Sequence, residues 1–266
     1  MAETAGFVAA IAIGLSLGII GGGGSILTVP VLVYLFGTAP TPATAYSLFV
    51  VGVTALVGAV ASMRQELVSY RTALVFGIPS ILAVYATRSI LVPAIPTELF
   101  SLGAVTVTRD LLLMLLFAVL MLAASVSMIR KSAVAEVGGE VVYNYPVILL
   151  EGLLVGVLTG LVGAGGGFLI IPALVLFARL PMKLAVGTSL LIIAAKSLIG
   201  FTGDLGRMPV DWSFLLLFTA LAIAGILLGN RIARRISAER LKPAFGWFTL
   251  VMGTGILVRE LFFNAF

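Results

Sequence analysis

The sequence predicts an all-α polytopic membrane protein made of a duplicated, inverted repeat. It has about eight apolar segments, two of them broken into re-entrant hairpins at glycine clusters. Three observations predict this. Of 266 residues, 61% are hydrophobic and 10% charged, against about 25% charged in a soluble domain, and the mean hydropathy is +1.23. Apolar runs of about 18 residues or more, the length of a membrane-spanning helix, recur from end to end. A run of glycines followed by a proline occurs at corresponding places in both halves. The alternating ten-residue pattern of an outer-membrane barrel is absent.

The apolar segments lie at 5–36, 42–63, 72–92, 110–129, 147–178, 183–203, 211–231 and 243–263. The opening MAETAG lacks the basic stretch of a signal peptide, so the first segment is expected to be retained. That segment is too long for one crossing, because about 32 residues of helix rise about 48 Å against a hydrocarbon core of about 30 Å. Near its middle stand Gly21, Gly22, Gly23 and Gly24, where each glycine costs a helix about 0.5–1 kcal/mol relative to alanine. The second and third segments are separated by RQELVSYR, and the stretch 93–109, with two prolines and few charges, reads as a loop at the membrane interface. The fourth ends at RKSAVAEVGGEVVYNYP. The fifth, 147–178, is again too long and again carries a glycine cluster, Gly165, Gly166 and Gly167. GDLGRMPVD follows the sixth, and the basic RIARRISAERLKP separates the last two, where membrane orientation and lipid headgroups account for its charge.

GIIGGGGSILTVPVLV (18–33) aligns without a gap on GLVGAGGGFLIIPALV (160–175). The same offset of 142 pairs Ser47 with Ser189, Thr54 with Lys196 and Gly58 with Gly200. The chain therefore divides into an N-terminal repeat over 1–133, a connecting loop over 134–146 and a C-terminal repeat over 147–266. Loop charge decides between parallel and inverted halves. If both long segments cross straight through, the basic residues split almost evenly between the two sides. If each turns back at its glycines, Arg64, Arg71, Arg130, Lys131, Arg179, Lys183, Arg231, Arg234, Arg235, Arg240 and Lys242 share one side. Arg88, Arg109, Arg207 and Arg259 then remain opposite. The second arrangement obeys the positive-inside rule better, and its three crossings per half invert the second half relative to the first. Both termini then face away from the cytoplasm.

Non-helical backbone at membrane depth survives only where protein or water covers it. Glycines let the chain unwind there and let another group approach closely. Half-helices beginning near Ser25 and near Gly167 would then aim their free N–H groups and positive dipole ends at the bilayer centre from opposite sides. Such a pair of N-termini suits an anion. The spaced glycines Gly14 and Gly18, and Gly225 and Gly229, read instead as close-packing positions, and Gly225→Ala is expected to be nearly silent. VGAGGGFL imitates a dinucleotide-binding fingerprint, but no strand precedes it and no acidic residue follows at the required distance.

Other classes fall away on composition. There is no Cys and no His, so thiol chemistry, zinc–thiolate sites and the commonest general base are excluded, and no cofactor is expected. The net charge of +5 reflects basic loops beside lipid rather than nucleic-acid binding.

GIIGGGGSILTVP and GLVGAGGGFLIIP, followed by ATAYSLFV and AVGTSLLI, resemble the two repeats of the sulfite exporter TauE/SafE family, the four-toluene-sulfonate-uptake-type permeases. The resemblance covers essentially the whole chain. It implies a multi-pass, inner-membrane-type permease for a small sulfur-containing anion such as sulfite, thiosulfate or an organosulfonate. The first repeat carries Tyr46-Ser47 where the second has Thr188-Ser189, so the two half-sites are not identical.

Among polar residues inside the apolar segments, Lys196 stands out, since a charge near the bilayer centre costs at least about 2.5–3.5 kcal/mol. It is read as a substrate or gating residue, against a snorkelling or structural role paired with Asp204. Ser189 lies on its helix face, and Ser47 and Thr54 mirror that pair in the first half. With Thr188, these hydroxyls can donate to an oxyanion or bond back to their own helices; Tyr46 can reach the site or pack. Arg64, Asp204 and Arg207 read as interfacial anchors, and Trp212, Trp247, Phe262 and Phe263 as interface or lipid-facing aromatics. The candidate substrate-binding set is thus Gly22, Gly23, Gly24, Ser25, Ser47, Gly165, Gly166, Gly167, Thr188, Ser189 and Lys196.

These residues favour a secondary transporter working by alternating access. With no ATP-binding motif, its energy is expected to come from a gradient or a partner, and Glu151 and Asp204 are the acidic candidates for coupling to H+ or another ion. The alternatives are an anion channel on the same half-helix architecture and, behind it, an intramembrane Ser–Lys hydrolase using Ser25 and Lys196. The oligomeric state is not readable from the sequence.

Overall fold

The computed structural model describes residues 2–102, 105–129, 145–176, 178, 180–233 and 238–262. The first long segment is α1 (Ala2–Ile20), a 3-10 turn (Gly22–Leu27) and α2 (Thr28–Phe36). Next come α3 (Pro40–Met63) and α4 (Tyr70–Ala86). A π-helical turn (Thr87–Leu91) and the short α5 (Val92–Ala94) continue α4. Two short strands follow, β1 (Glu98–Leu102) and β2 (Val105–Thr108), and then α6 (Arg109–Ile129). The second half contributes α7 (Tyr145–Val162), α8 (Gly167–Leu176), α9 (Met182–Thr202), α10 (Trp212–Ala233) and α11 (Ala238–Phe262). Among the described residues, six helical stretches are long and apolar enough to cross a membrane, and two shorter apolar helices, Gly24–Phe36 and Pro146–Val162, accompany them. The fold is all-α and polytopic, as the composition requires.

Helix directions follow from residue contacts. Gly52 packs on Leu198, Gly58 on Leu190 and Gly200 on Leu48, so α3 and α9 run antiparallel. Gly152 meets Phe76, Gly156 meets Ser80 and Gly160 meets Thr87, so α7 runs parallel to α4. Gly14 meets Ala222, and Gly18 meets Ile226, so α1 and α10 run parallel. The first long segment doubles back. Phe36, at the end of α2, sits edge-on to Phe7 near the start of α1, with ring centroids 5.2 Å apart. In the second, Gly167 lies level with Ile193 of α9 through their shared neighbour Gly22, whereas Ile171 lies level with Val186 beside Gly21. The chain therefore descends α9 while it ascends α8, and α8 runs back against α7.

Contacts also fix the ends of the bundle. Tyr34, near the end of α2, donates to Glu260 in the last turn of α11 at 2.9 Å. The start of α1 and the end of α11 therefore share one end, the terminal face. The α3–α4 connection lies at the opposite face, where Leu67 meets Gly187 near the start of α9.

Several expectations are corrected. The stretch 93–109 is not a plain loop: β1 and β2 pair antiparallel there, with Phe100 opposite Val107. The α-helical half of the first segment begins at Thr28, not near Ser25, because Gly22–Leu27 winds as a 3-10 turn. The basic stretch after the seventh segment is largely helical, α10 running to Ala233 and α11 starting at Ala238. Residues 130–144, which hold most of the connecting loop, and Phe263 lie outside the described residues. The spaced glycines do make a close helix crossing, but Gly225 has no room to spare, since an added methyl would overlap the Ile11 carbonyl oxygen. Its substitution by alanine is therefore not silent.

Candidate functional site

The two glycine clusters meet. A Cβ on Gly22 would overlap the Gly167 Cα, and one on Gly167 would overlap Gly22, so the breaks touch backbone to backbone. Only residues without side chains allow this approach. Around the crossing lie Val51 of α3 and Ile193 of α9, which flank Gly165 together with the Ser25 Cβ. Gly165 and Gly166 have φ of 63° and 73°, the left-handed region where a side chain is strained. That geometry turns the chain from α7 into the first turn of α8, whose leading N–H groups have no partner within the helix.

Lys196 reaches this turn from α9. Its side chain is fully buried, and Nζ would lie 2.7 Å from a Cβ placed on Gly166. Nζ donates to the Thr159 hydroxyl oxygen at 2.9 Å, and that hydroxyl donates to the Val155 carbonyl at 2.7 Å. Asp204 is not its partner. The Asp204 carboxylate accepts instead from Arg88 Nε at 2.7 Å, and among the described residues no carboxylate pairs with Lys196. The amine therefore sits in the protein centre with a hydroxyl for company and no counter-ion.

The structure brings Gly22, Ser25, Gly165, Gly166, Gly167 and Lys196 together, with Gly23 and Gly24 in the adjoining 3-10 turn. Ser25 Oγ donates to the Gly22 carbonyl at 2.7 Å, tightening that turn. Gly24 serves the hairpin itself, its Cα face lying against Ile13 and Leu17 of α1. Ser47 and Thr54 are buried, and neither hydroxyl has a partner among the described residues. Ser189 bonds back to the Val186 carbonyl at 2.8 Å. Thr188 is elsewhere, accepting from the Ser69 N–H at 2.9 Å at the opposite face. Tyr46 packs against Phe214, and its hydroxyl accepts from the Asp211 N–H at 2.8 Å.

The model of the sulfite exporter TauE/SafE family matches residues 6–256 of the chain. The chain belongs to this family. It is 31% identical over 257 residues to a probable membrane transporter protein of Xylella fastidiosa (strain Temecula1), covering 93% of this chain and 92% of that one. It is 28% identical over 276 residues to a probable membrane transporter protein of Bacillus subtilis (strain 168), covering 96% and 99%. A probable membrane transporter protein of Methanocaldococcus jannaschii is 26% identical over 266 residues, covering 93% and 94%. No solved structure matches the chain. This TauE/SafE member is thus a multi-pass membrane protein of a transporter family, and its crossing of glycine breaks lies inside the matched region.

Two further residues of this TauE/SafE chain escape sequence reasoning. Thr159, the partner of Lys196, is one hydroxyl in an apolar run, and nothing in its spacing marks it. Arg88, assigned from sequence to the loop charges of one side, is fully buried. Its Nη1 donates to Thr44 Oγ1 at 2.9 Å and to the Gly160 carbonyl at 3.3 Å. Asp204, expected at the interface, is buried beside it, whereas Arg207 stays exposed. Arg207 Nη1 donates to the Ser89 carbonyl at 2.5 Å. Burial pushes the Asp204 carboxyl up, and the Arg88 charge beside it pulls it down. Trp212 and Trp247 are about half exposed, as expected of interfacial aromatics.

Proposed function

We propose that this chain is a secondary transporter that holds a small sulfur-containing anion, such as sulfite, thiosulfate or an organosulfonate, where its two glycine breaks cross, and passes it on by alternating access. One observation carries the reading: Lys196 is buried beside the Gly22–Gly167 contact with a threonine hydroxyl as partner and, among the described residues, no carboxylate. A buried ammonium without a counter-charge is costly. An anion entering there supplies that charge and meets N–H groups at the start of α8 as well.

In this reading the halves are inverted repeats. Support comes from helix direction: α1 runs with α10 and α3, α7 runs with α4 and α9, and these two sets are antiparallel. The hairpins thus enter from opposite faces. Among the described residues, Arg64, Arg71, Lys183 and Arg231 lie toward the opposite face and Arg109, Arg207 and Arg259 toward the terminal face. Together with the basic stretches between segments, this distribution supports a cytoplasmic opposite face.

The test is counterflow in liposomes with sulfite, thiosulfate, taurine, sulfoacetate and sulfolactate. A carrier shows saturable uptake accelerated by the same anion on the far side. Uptake that neither saturates nor counterflows would favour a channel, and no uptake of any of the five would remove the sulfur-anion reading.

A further inference from the structure

Arg88 has a binding capacity that its protein partners do not use up. It lies in the π-helical turn Thr87–Leu91, a distortion frequent at functional sites. Nε is taken by Asp204 and Nη1 by Thr44 and Gly160, but Nη2 is buried with no partner among the described residues. A guanidinium presents a planar fork suited to two oxygens at once, yet Asp204 engages it through one oxygen at Nε.

Its position matters equally. Gly160, which accepts from Arg88, directly follows Thr159, which accepts from Lys196. The two buried cations therefore touch consecutive residues of α7, Arg88 on the side of the terminal face. Thr44 also meets Gly163, and Val51 meets Gly165, so one face of α3 lines the second glycine break. Ser47 lies on that face between them, its hydroxyl buried and without a partner among the described residues.

We infer that Arg88, with Thr44, is a second oxyanion station between the Lys196 site and the terminal face, occupied by the Asp204 carboxylate when no transported anion is there. The inference rests on the anion-transport reading above. Exchanging one carboxylate oxygen for an oxyanion keeps the guanidinium compensated throughout, so the anion passes without leaving a buried charge bare. Asp204, released, lies just beyond the end of α9, in the same connection as Arg207.

The test is calorimetric titration of sulfite, and separately of thiosulfate, into purified protein in lipid nanodiscs. Asp204→Asn vacates the station, so the anion bound at concentrations that fill only the Lys196 site of wild type should rise from one per chain to two. Arg88→Gln/Asp204→Asn should return it to one, and Lys196→Ala/Asp204→Asn should keep one. Wild-type protein gives a reading that does not depend on a variant folding: saturating sulfite should raise deuterium uptake over 203–207 as Asp204 leaves Arg88. If wild type binds through Lys196 but Asp204→Asn gains no site, or uptake over 203–207 is unchanged, Arg88–Asp204 is a structural ion pair and this inference alone falls. If no protein binds either anion, the sulfur-oxyanion reading falls and takes the station with it.

Discussion

Lys196 and Thr159 lie on different helices, α9 and α7, and meet through a 2.9 Å hydrogen bond deep in the protein. The bond fixes where the amine points, beside the glycine crossing. Lys196→Gln and Lys196→Ala are expected to insert and fold yet lose transport at least tenfold, with Lys196→Arg retaining part of it. Thr159→Val should be milder in transport but destabilising by about 1–3 kcal/mol, the cost of a buried donor left unpaired. Transport assays beside thermal unfolding in the same detergent separate the two effects. Full activity in Lys196→Ala would return the residue to a structural role.

The Gly22–Gly167 contact makes a prediction about coupling. Either glycine changed to alanine pushes the two breaks apart, so each single variant should abolish anion binding, and the double variant should add little to either. Gly166→Ala differs in kind, because its φ of 73° adds about 1–3 kcal/mol of backbone strain and its methyl crowds Lys196 Nζ. Calorimetry on protein that elutes as a single folded species reads all four. Binding that survives in each single variant and falls further in the double would mean that the breaks act independently.

Gly225 and Gly255 offer a matched pair. Both are helical glycines, but an added Cβ at Gly225 overlaps the Ile11 carbonyl oxygen whereas at Gly255 nothing lies within 4 Å. Gly225→Ala should cost about 1–3 kcal/mol, as overpacking does, and Gly255→Ala should be neutral or stabilising. Equal unfolding temperatures for the two would contradict the α1–α10 packing.

Orientation is readable by labelling, since the chain has no cysteine of its own. Gln65→Cys should react with a membrane-impermeant maleimide from the cytoplasmic side, and Leu205→Cys from the other. Tags at either terminus should follow Leu205. A terminus accessible together with Gln65 would place the hairpins differently.

How far the sequence reached depends on which physics sets each feature. Segment number and apolar character follow from composition, and the breaks at Gly21–Gly24 and Gly163–Gly167 follow from local backbone cost, so both were legible. Lys196 was legible because a charge in an apolar run is conspicuous. Its partner was not, because Asp204 is close in sequence while Thr159 is close in space. Arg88 was misjudged for a related reason. It stands near a segment end, where snorkelling is the ordinary fate, and only the packing of α3, α7 and α9 around it makes it internal. Thr188 looked equivalent to its neighbour Ser189, but successive residues on a helix point about 100° apart, and it faces Ser69 instead. The β1–β2 pairing escaped because a short, Pro-flanked stretch has little periodicity to read.

The interlock of Gly14 and Gly18 with Gly225 and Gly229 also has a consequence for biosynthesis. α1 leaves the ribosome before the surface it fits, which belongs to α10, some two hundred residues later. Until α8 is made the unwound Gly22–Leu27 turn lacks the Gly167 backbone that covers it, and until α10 is made α1 lacks the helix face it fits. Non-helical backbone exposed to lipid is not tolerated, so the nascent hairpin has to wait in a protected place, against the insertion machinery or in the interfacial region, and seat itself later. The first hairpin should thus seat only after α10 arrives, and a truncation before Trp212 should leave it accessible to protease although every residue of it has been synthesised.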